Sequence, residues 1–334
     1  IIKVMNKKVF TLLEPDLYIN PYNWTFWEDR ALVRVEEKNY RSKILEYKFD
    51  LDKVELSNPK ILLQDPIFSY EDPRLISKKD FTYVKYNSRT IECFFMRSDK
   101  GNMTKGHAWE KNWQHLEGDE YIYKIRPFII RNNKNRDRFN YHFDWPYGNI
   151  FHLSSNLFEI SNRQFLLFHT YTSAKIENSD ILTVDDGRIF QGTYAVHSED
   201  HTIKNNKSYY QGVIELVDLK PKFYVTKPLF DPPEESNLYK FPKNKSKCVY
   251  VMSVRNIDNE LWMSAGVNDC ESALIKINCN EFIDWVDEHK NLVEELLDVP
   301  VSSPTLNYVT NLTTPSTVVK PSTLVNYEDI YHVD

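Results

Sequence analysis

The segment Tyr70-Glu71-Asp72-Pro73-Arg74 brings carboxyl groups and a guanidinium together within one short stretch of chain. Pro73 disfavours helical backbone at the residue before it, so we expect an extended conformation at Asp72. In an extended chain Asp72 and Arg74 project on the same side, which places the acid beside the cation. Such a pair could serve polar chemistry at the entrance of a strand, or it could be a turn with a local ion pair. Spacing alone favours the turn.

Other polar segments could contribute to a site, and each also has a simpler explanation. Lys111-Asn112 and Arg126 lie near predicted strands, where cations could line a central pocket, although a solvated loop explains them as well. His169 lies near the end of an aromatic strand, where a lone histidine is more often a hydrogen-bonded core residue. Asp269 follows a strand and Gly266, which is also a common place for a turn.

Strands must position these residues, because strand-like runs dominate the chain. Apolar-rich runs bounded by polar turns include 31–35, 43–49, 81–85, 164–172 and 248–254. Short strands separated by turn clusters are typical of all-β sandwiches, barrels and propellers. Similar hairpins recur about every 40–55 residues, near the period of a four-stranded propeller blade. Five such units fit between residues 15 and 279, so the pattern favours a five-bladed β-propeller over a sandwich.

One helix and a tail follow the strands. Apolar residues such as Phe282 and Val286 recur at helical spacing between residues 281 and 298. Asn280 is a suitable N-cap, and acidic residues favour the positive start of the helix. From residue 299 the composition changes to Ser, Thr, Pro and Val, which is typical of a linker. We therefore expect a propeller over 1–279, a helix packed outside it over 280–298 and a tail over 299–334.

Taken in order, the motifs resemble those of glycoside hydrolase family 130, the inverting β-mannoside phosphorylases, and of related mannosyltransferase-phosphorylases. The segment 70–74 is similar to the E-D-P-R signature of the family, and 264–269 is similar to its Y-Y-G-A-A-D segment. Further short matches occur at Asn20-Pro21, 32–35, Lys111-Asn112, Arg126-Pro127, His169, 210–218 and 227–232. A series of matches in the right order over residues 20–277 is more specific than any one of them.

The resemblance implies a five-bladed propeller with a sugar site at its axis, and it implies roles for individual residues. Asp72 would be the general acid or base of an inverting reaction. A group of cationic side chains would bind phosphate, namely Arg34, Lys111, Arg126 and His169. A second group would contact the substrate, namely Asn20, Arg74, Asn112 and Asp269.

These roles suit phosphorolysis, since phosphate is itself the nucleophile and the enzyme needs one acid and cations that hold the anion. In reverse, the same site would transfer a sugar from a sugar phosphate or a nucleotide sugar to an acceptor hydroxyl. We expect a carbohydrate and phosphate or a sugar phosphate as substrates, with no cofactor and no metal. An inverting hydrolase, which needs a second carboxylate, and a non-catalytic propeller that binds glycan or protein remain alternatives.

The composition argues against several other classes. The 334 residues carry a net charge of −6, which argues against nucleic acid as the main partner. The chain has only 8 glycines and no glycine-rich phosphate loop, unlike Rossmann and P-loop proteins. Its 4 cysteines form no C-x-x-C pair, which favours free thiols, and no apolar stretch reaches the ~18 residues of a membrane span. The cytoplasm is the favoured compartment, the secretory pathway stays open, and a homo-oligomer is compatible with the sequence.

Overall fold

The computed structural model describes residues 18–37, 41–87, 91–96, 103–105, 113–116, 120–125, 128–131, 136–139, 141–148, 151–173, 207–230, 246–268 and 271–295. Strands and one α-helix form the regular structure of these ranges, which confirms the predicted all-β class. Within them, no helix has both the length and the apolar character that crossing a membrane requires.

The described chain begins with two antiparallel sheets of four strands each. The first contains β1 (Tyr18–Trp27), β2 (Arg30–Glu37), β3 (Ser42–Asp50) and β4 (Glu55–Leu63). The second contains β5 (Ser69–Leu75), β6 (Phe81–Tyr86), β7 (Ile91–Met96) and β8 (Met103–Lys105). Three of the apolar runs noted in the sequence, 31–35, 43–49 and 81–85, lie inside these strands.

Three more sheets follow along the chain. The third contains β9 (Gln114–His115), β10 (Tyr121–Lys124), β11 (Phe128–Arg131) and β12 (Arg136–Phe139), after which comes the short strand β13 (Tyr141–His142). The fourth contains β14 (Phe151–Leu153), β15 (Phe158–Ile160), β16 (Arg163–Ser173), β17 (Lys207–Val217), β18 (Lys220–Val225) and β19 (Ser246–Lys247). The fifth contains β20 (Val249–Ile257), β21 (Glu260–Val267) and β22 (Glu271–Asn278).

Two-residue turns close several of these hairpins and set their register. The turns Ser161-Asn162, Asp218-Leu219 and Asp258-Asn259 have positive φ at both residues, between 50° and 62°. Two consecutive left-handed residues match the right-handed twist of the paired strands, and Asn and Asp tolerate this conformation better than most residues. The Asn-rich and Asp-rich turns of the sequence therefore fix which residues of β15–β18, β20 and β21 face each other.

The helix α1 (Cys279–His289) is shorter than the sequence predicted. Its N-cap is Asn278 rather than Asn280, and the side chain of Asn278 accepts a hydrogen bond from the Asn280 amide at 2.9 Å. The chain becomes extended at Lys290 and forms β23 (Lys290–Leu292) and β24 (Glu294–Glu295). These strands pair with β18 and β13, so backbone pairing at open sheet edges ends the helix although its apolar spacing continues.

Among the described residues, four buried clusters join these five sheets to one another. Leu32 of the first sheet packs with Tyr70 and Phe81 of the second. Trp24 of the first sheet lies in one cluster with Leu274 of the fifth. The other two clusters join the fifth sheet and α1 to the fourth, and the fourth to the third. The sheets are therefore connected in the order second, first, fifth, fourth, third.

The first and last sheets of the described chain are neighbours, as in a ring of blades. The indole N–H of Trp24 in β1 donates to the carbonyl of Ala273 in β22 at 3.0 Å. Closing the ring would need contact between the second and third sheets, and residues 97–102 and 106–112 on the chain between them lie outside the described residues. The five-bladed propeller therefore stays a prediction. Residues 299–334, predicted to be a tail, also lie outside the described residues.

Candidate functional site

The first strands of three sheets meet, and each of them carries a bulge. Strands β1, β5 and β20 contact one another and lie at the edges of their own sheets. An extra residue interrupts their pairing at Asn23 in β1, at Asp72-Pro73 in β5 and at Met252 in β20. A bulge bends its strand and redirects its side chains, which is why bulges are frequent next to active sites. The polar residues of interest surround this meeting point.

Asp72 owes its orientation to the bulge in β5. Its φ is 46°, so the expected extended backbone at Asp72 is wrong. Glu71 pairs with Val84 and Arg74 pairs with Thr82, which leaves one residue more on β5 than on β6. Pro73 has no N–H to contribute to the ladder, so it fits the interrupted position. The bulge breaks the alternation on which the same-side prediction for Asp72 and Arg74 depended.

The carboxyl group of Asp72 is buried and lies between an amide and a guanidinium. Asn23 Nδ2 donates a hydrogen bond to Asp72 Oδ1 at 2.9 Å, and Arg34 Nη1 lies 4.0 Å from the same oxygen. Asn23 sits at the bulge of β1 with a φ of 49°. The structure thus brings Arg34 to Asp72, as the sequence motifs implied, and adds Asn23.

Arg34 is held mainly by Glu71. Its Nη2 lies 2.7 Å from Glu71 Oε1, and its guanidinium stacks over the Tyr22 ring at 4.6 Å from the ring centre. Burial is the largest single influence and would lower the pKa of Arg34, but the charge of Glu71 and those of further neighbours together outweigh it and hold that pKa well above its usual range. Burial also raises the pKa of Tyr22, with Arg34 opposing. Arg34 therefore stays charged beside Asp72.

Arg74 reaches from β5 to two other sheets. Its Nε donates to the carbonyl of Ser154 at 3.0 Å, and its Nη2 donates to the hydroxyl of Tyr250 at 2.6 Å. Burial raises the pKa of Tyr250 well above its usual range, while Arg74 opposes this shift and Asp72 adds to it. Tyr250 is therefore a neutral phenol at physiological pH, and Arg74 links the second, fourth and fifth sheets.

His169 joins this network from the fourth sheet. Its Nδ1 lies 2.9 Å from Ser154 Oγ, and its ring meets the Tyr250 ring edge to face with centres 4.7 Å apart. Gln211, which faces His169 across the β16–β17 pair, has a buried side-chain amide without a hydrogen-bond partner among the described residues. The donor and acceptor atoms of the Gln211 amide, next to His169, are thus not used in hydrogen bonds within the described part of the protein.

The remaining predicted site residues either lack a described side chain or lie outside the described residues. Asn20 lies in β1, and its side chain is not among those described. Four more predicted residues lie outside the described residues: Lys111, Asn112, Arg126 and Asp269. Their roles stay predictions. In the described ranges, no three His, Cys, Asp or Glu side chains are grouped as metal ligands, and the side chains of Cys248 and Cys279 are buried.

Sequence reasoning missed Asn23, Ser154 and Tyr250. Each contacts a predicted residue from a different sheet, and nothing in its local sequence marks that contact. The one usable signal is that asparagine tolerates left-handed backbone, which agrees with a bulge at Asn23.

Neither protein-family models nor curated proteins match this chain. Among solved structures, MPT-1, a GDP-Man-dependent mannosyltransferase from Leishmania mexicana, aligns with 81% of this chain and 88% of its own, with a TM-score of 0.51 and 14% identity. The chain shares the fold of MPT-1. MPT-4, a mannose phosphorylase from Leishmania mexicana in complex with phosphate ion, covers 88% of this chain and 93% of its own, with a TM-score of 0.48 and 14% identity.

A member of the GH130 family of mannoside phosphorylases, a family that contains glycoside hydrolases targeting β-1,2-mannosidic linkages in Candida mannan, covers 79% of this chain and 85% of its own. Its TM-score is 0.48 and its identity is 12%. At 14% identity, the similarity to MPT-1 is one of fold.

Proposed function

We propose that this protein is a carbohydrate-active enzyme, an inverting glycoside phosphorylase or glycosyltransferase acting on β-mannosides or similar hexosides. The observation that carries the proposal is the buried carboxyl group of Asp72, held between Asn23 and Arg34 where three sheets meet. The fold shared with MPT-1, a GDP-Man-dependent mannosyltransferase, supports it.

In this proposal Asp72 transfers one proton, as the general acid in phosphorolysis and as the general base in synthesis. In phosphorolysis its carboxylic acid protonates the glycosidic oxygen while a phosphate oxygen attacks C1 from the opposite face. The C1–O bond to the leaving sugar breaks, the C1–O–P bond forms, and the configuration inverts. In synthesis, ionised Asp72 takes the proton of the acceptor hydroxyl, the acceptor oxygen bonds to C1, and phosphate or a nucleoside diphosphate leaves from C1.

The substrates supply the phosphate, and no cofactor is required. Phosphate would lie near His169, with Arg34, Lys111 and Arg126 as the other proposed cations. The unused amide of Gln211 beside His169 supports a polar ligand there. The sugar would contact four residues, namely Asn20, Arg74, Asn112 and Asp269.

The proposed architecture is a five-bladed propeller with this site at its axis. Its support is the chain of contacts from the second sheet through the first, fifth and fourth to the third, together with the meeting of β1, β5 and β20. In a propeller, first strands line the central channel, so a polar cluster on them would face a ligand entering along the axis.

One observation favours a second candidate function, that of a non-catalytic propeller that binds glycan. Arg34 is already paired with Glu71 at 2.7 Å, so this cation is less open to phosphate than the family resemblance implied. A structural role for the Asp72–Arg34–Glu71 group would need no reaction.

A donor screen separates these functions. The protein is incubated with mannose-1-phosphate, other hexose-1-phosphates and nucleotide sugars over a panel of acceptor sugars, and release of phosphate or nucleotide is followed. We expect release from one donor class, and its loss in Asp72→Asn. Release of free sugar without an acceptor would indicate a hydrolase instead. Glycan binding without release of any product, together with a lowered melting temperature for Asp72→Asn, would favour the non-catalytic candidate.

A further inference from the structure

The contact between Asn23 and Asp72 joins two bulges of different sheets. Both residues have left-handed backbone, with φ values of 49° and 46°, and both are buried, with 5% and 6% exposure. Left-handed backbone is costly for a residue with a side chain, so it persists where the surroundings hold it in place. The hydrogen bond of 2.9 Å between the two side chains is one such restraint.

Gly266 of the fifth sheet makes room for the Asn23 side chain. A Cβ atom at position 266 would lie 2.1 Å from Asn23 Oδ1, closer than any real contact. Asn23 Oδ1 is buried and has no hydrogen-bond partner among the described residues. Turning the amide around would place its two N–H donors against Gly266 and its oxygen against the Asp72 carboxyl group. The orientation with Nδ2 toward Asp72 is therefore the favourable one when Asp72 is ionised.

The two oxygens of the Asp72 carboxyl group are not equivalent. Asn23 Nδ2 and Arg34 Nη1 both approach Oδ1, and within the described residues no polar group bonds to Oδ2. An oxygen that faces two donors is the better place for the lone pairs and the negative charge. In the neutral acid, the proton is therefore favoured on Oδ2.

We propose that Asn23 is a positioning residue that orients the Asp72 carboxyl group so that Oδ2 gives and takes the transferred proton, and that Gly266 provides the space this requires. This inference deepens the proposed function and rests on it. Asn23 does not touch the reacting atoms in this scheme. Its effect reaches the reaction only through the orientation of Asp72.

The first experiment needs no turnover. The full chain is labelled with ¹⁵N-asparagine, and the side-chain amide of Asn23 is assigned as the signal missing from Asn23→Ala. We expect this amide to exchange slowly with solvent and to shift in Asp72→Ala. Asn58 is the matched control, because it is also left-handed, with a φ of 51°, but exposed. An Asn23 amide that exchanges as fast as that of Asn58 and ignores Asp72→Ala overturns the inference.

The second experiment uses the donor found in the screen. Asn23→Ala and Gly266→Ala should each lower kcat on the order of 10- to 100-fold, as expected when a catalytic group is misplaced by a fraction of an ångström to 1 Å. KM should stay within about twofold, because the carboxyl group itself remains in the site. The double variant should be no slower than the slower single variant, since both changes disturb the same contact. Asn58→Ala should keep full kcat.

The outcomes distinguish the inference from the function on which it rests. If Asn23→Ala retains full kcat while Asp72→Asn loses it, the positioning role is wrong and the function stands. If no donor gives turnover but the Asn23 amide is bonded to Asp72, the proposed function fails while the assignment of Oδ1 as the accepting oxygen holds. Should Gly266→Ala fail to fold, Asn23→Ala alone decides between these results.

Discussion

The guanidinium of Arg34 lies 2.7 Å from Glu71 but 4.0 Å from Asp72. Glu71 therefore carries most of the pairing, which leaves Asp72 less neutralised than its neighbour in sequence. Both members of the closer pair are largely buried, with side-chain exposures of 11% and 18%. Removing one partner of such a pair leaves a buried charge without compensation, which is costly.

We expect Glu71→Gln to lower the free energy of unfolding by about 3 kcal/mol, the size usual for breaking a buried pair from one side. Urea unfolding at pH 7 measures this. Glu28→Gln is the control, because Glu28 pairs with Lys78 at the surface and such pairs contribute little. Equal effects of the two variants would show that the Arg34–Glu71 pair is no stronger than a surface pair.

Asp72→Asn should reduce kcat by on the order of 10² to 10⁴ with the donor found in the screen, because the amide cannot transfer the proton. The amide fills the same space, so ligand binding and the melting temperature should change little. Steady-state kinetics and calorimetry test the two statements. Asp52→Asn, at an exposed turn, is the matched control. Near-normal turnover of Asp72→Asn would place the acid elsewhere.

Tyr250→Phe should remove part of the alkaline instability of the protein. Burial raises the pKa of Tyr250 above the ordinary 10.0, so the folded state holds this proton more tightly than the unfolded chain does. The resulting stabilisation is complete below pH 10 and is lost as the pH rises from there. At pH 7 the variant should be less stable, since Arg74 Nη2 loses its acceptor. Melting temperatures measured from pH 7 to 11 should show that the difference between the wild type and Tyr250→Phe decreases above pH 10. A difference that stays constant would contradict the prediction.

Asp287→Asn should remove an acid-sensitive link between α1 and the fourth sheet. Arg163 forms two hydrogen bonds with Glu215 and two with Asp287. Arg163 lowers the pKa of Asp287, and Lys290 lowers it further. A lowered pKa stabilises the fold above the unfolded value of 3.8, and this contribution is lost as the pH falls below it. The melting-temperature difference from the wild type should be present at pH 7 and should shrink as the pH falls below 3.8. Asp284→Asn, exposed and one turn earlier on the helix, is the matched control.

The strands could be predicted because local chemistry specifies them. The run 31–35 lies in β2 and 43–49 lies in β3, where apolar residues such as Val33 and Leu45 are buried. The end of the helix could not be predicted in the same way. Leu292 continues the helical apolar spacing, yet it pairs with Phe223 of β18 because that edge offers backbone partners. Tertiary pairing overrode the local pattern.

In the candidate site, too, local motifs could be predicted from the sequence and tertiary contacts could not. Asp72, Arg34 and His169 stand in recognisable motifs, and the described structure gives each a place near the same junction. Asn23 and Tyr250 could not be found from sequence, since their partners Asp72 and Arg74 lie 49 and 176 residues away along the chain. A bulge also changes which residues share a face, and no composition rule marks where it will occur.

The bond from Trp24 to Ala273 has a consequence for the order in which the protein can be made. The two residues are separated by 249 positions, so a ribosome releases nearly the whole described chain before the indole finds its acceptor. Until then the first sheet presents Trp24 and its aromatic neighbours to water, which is a surface that invites aggregation or chaperone binding. Closing such a distant contact is also slow relative to local hairpin formation. The meeting point of β1, β5 and β20 is therefore completed only after strands near the end of the described chain have emerged.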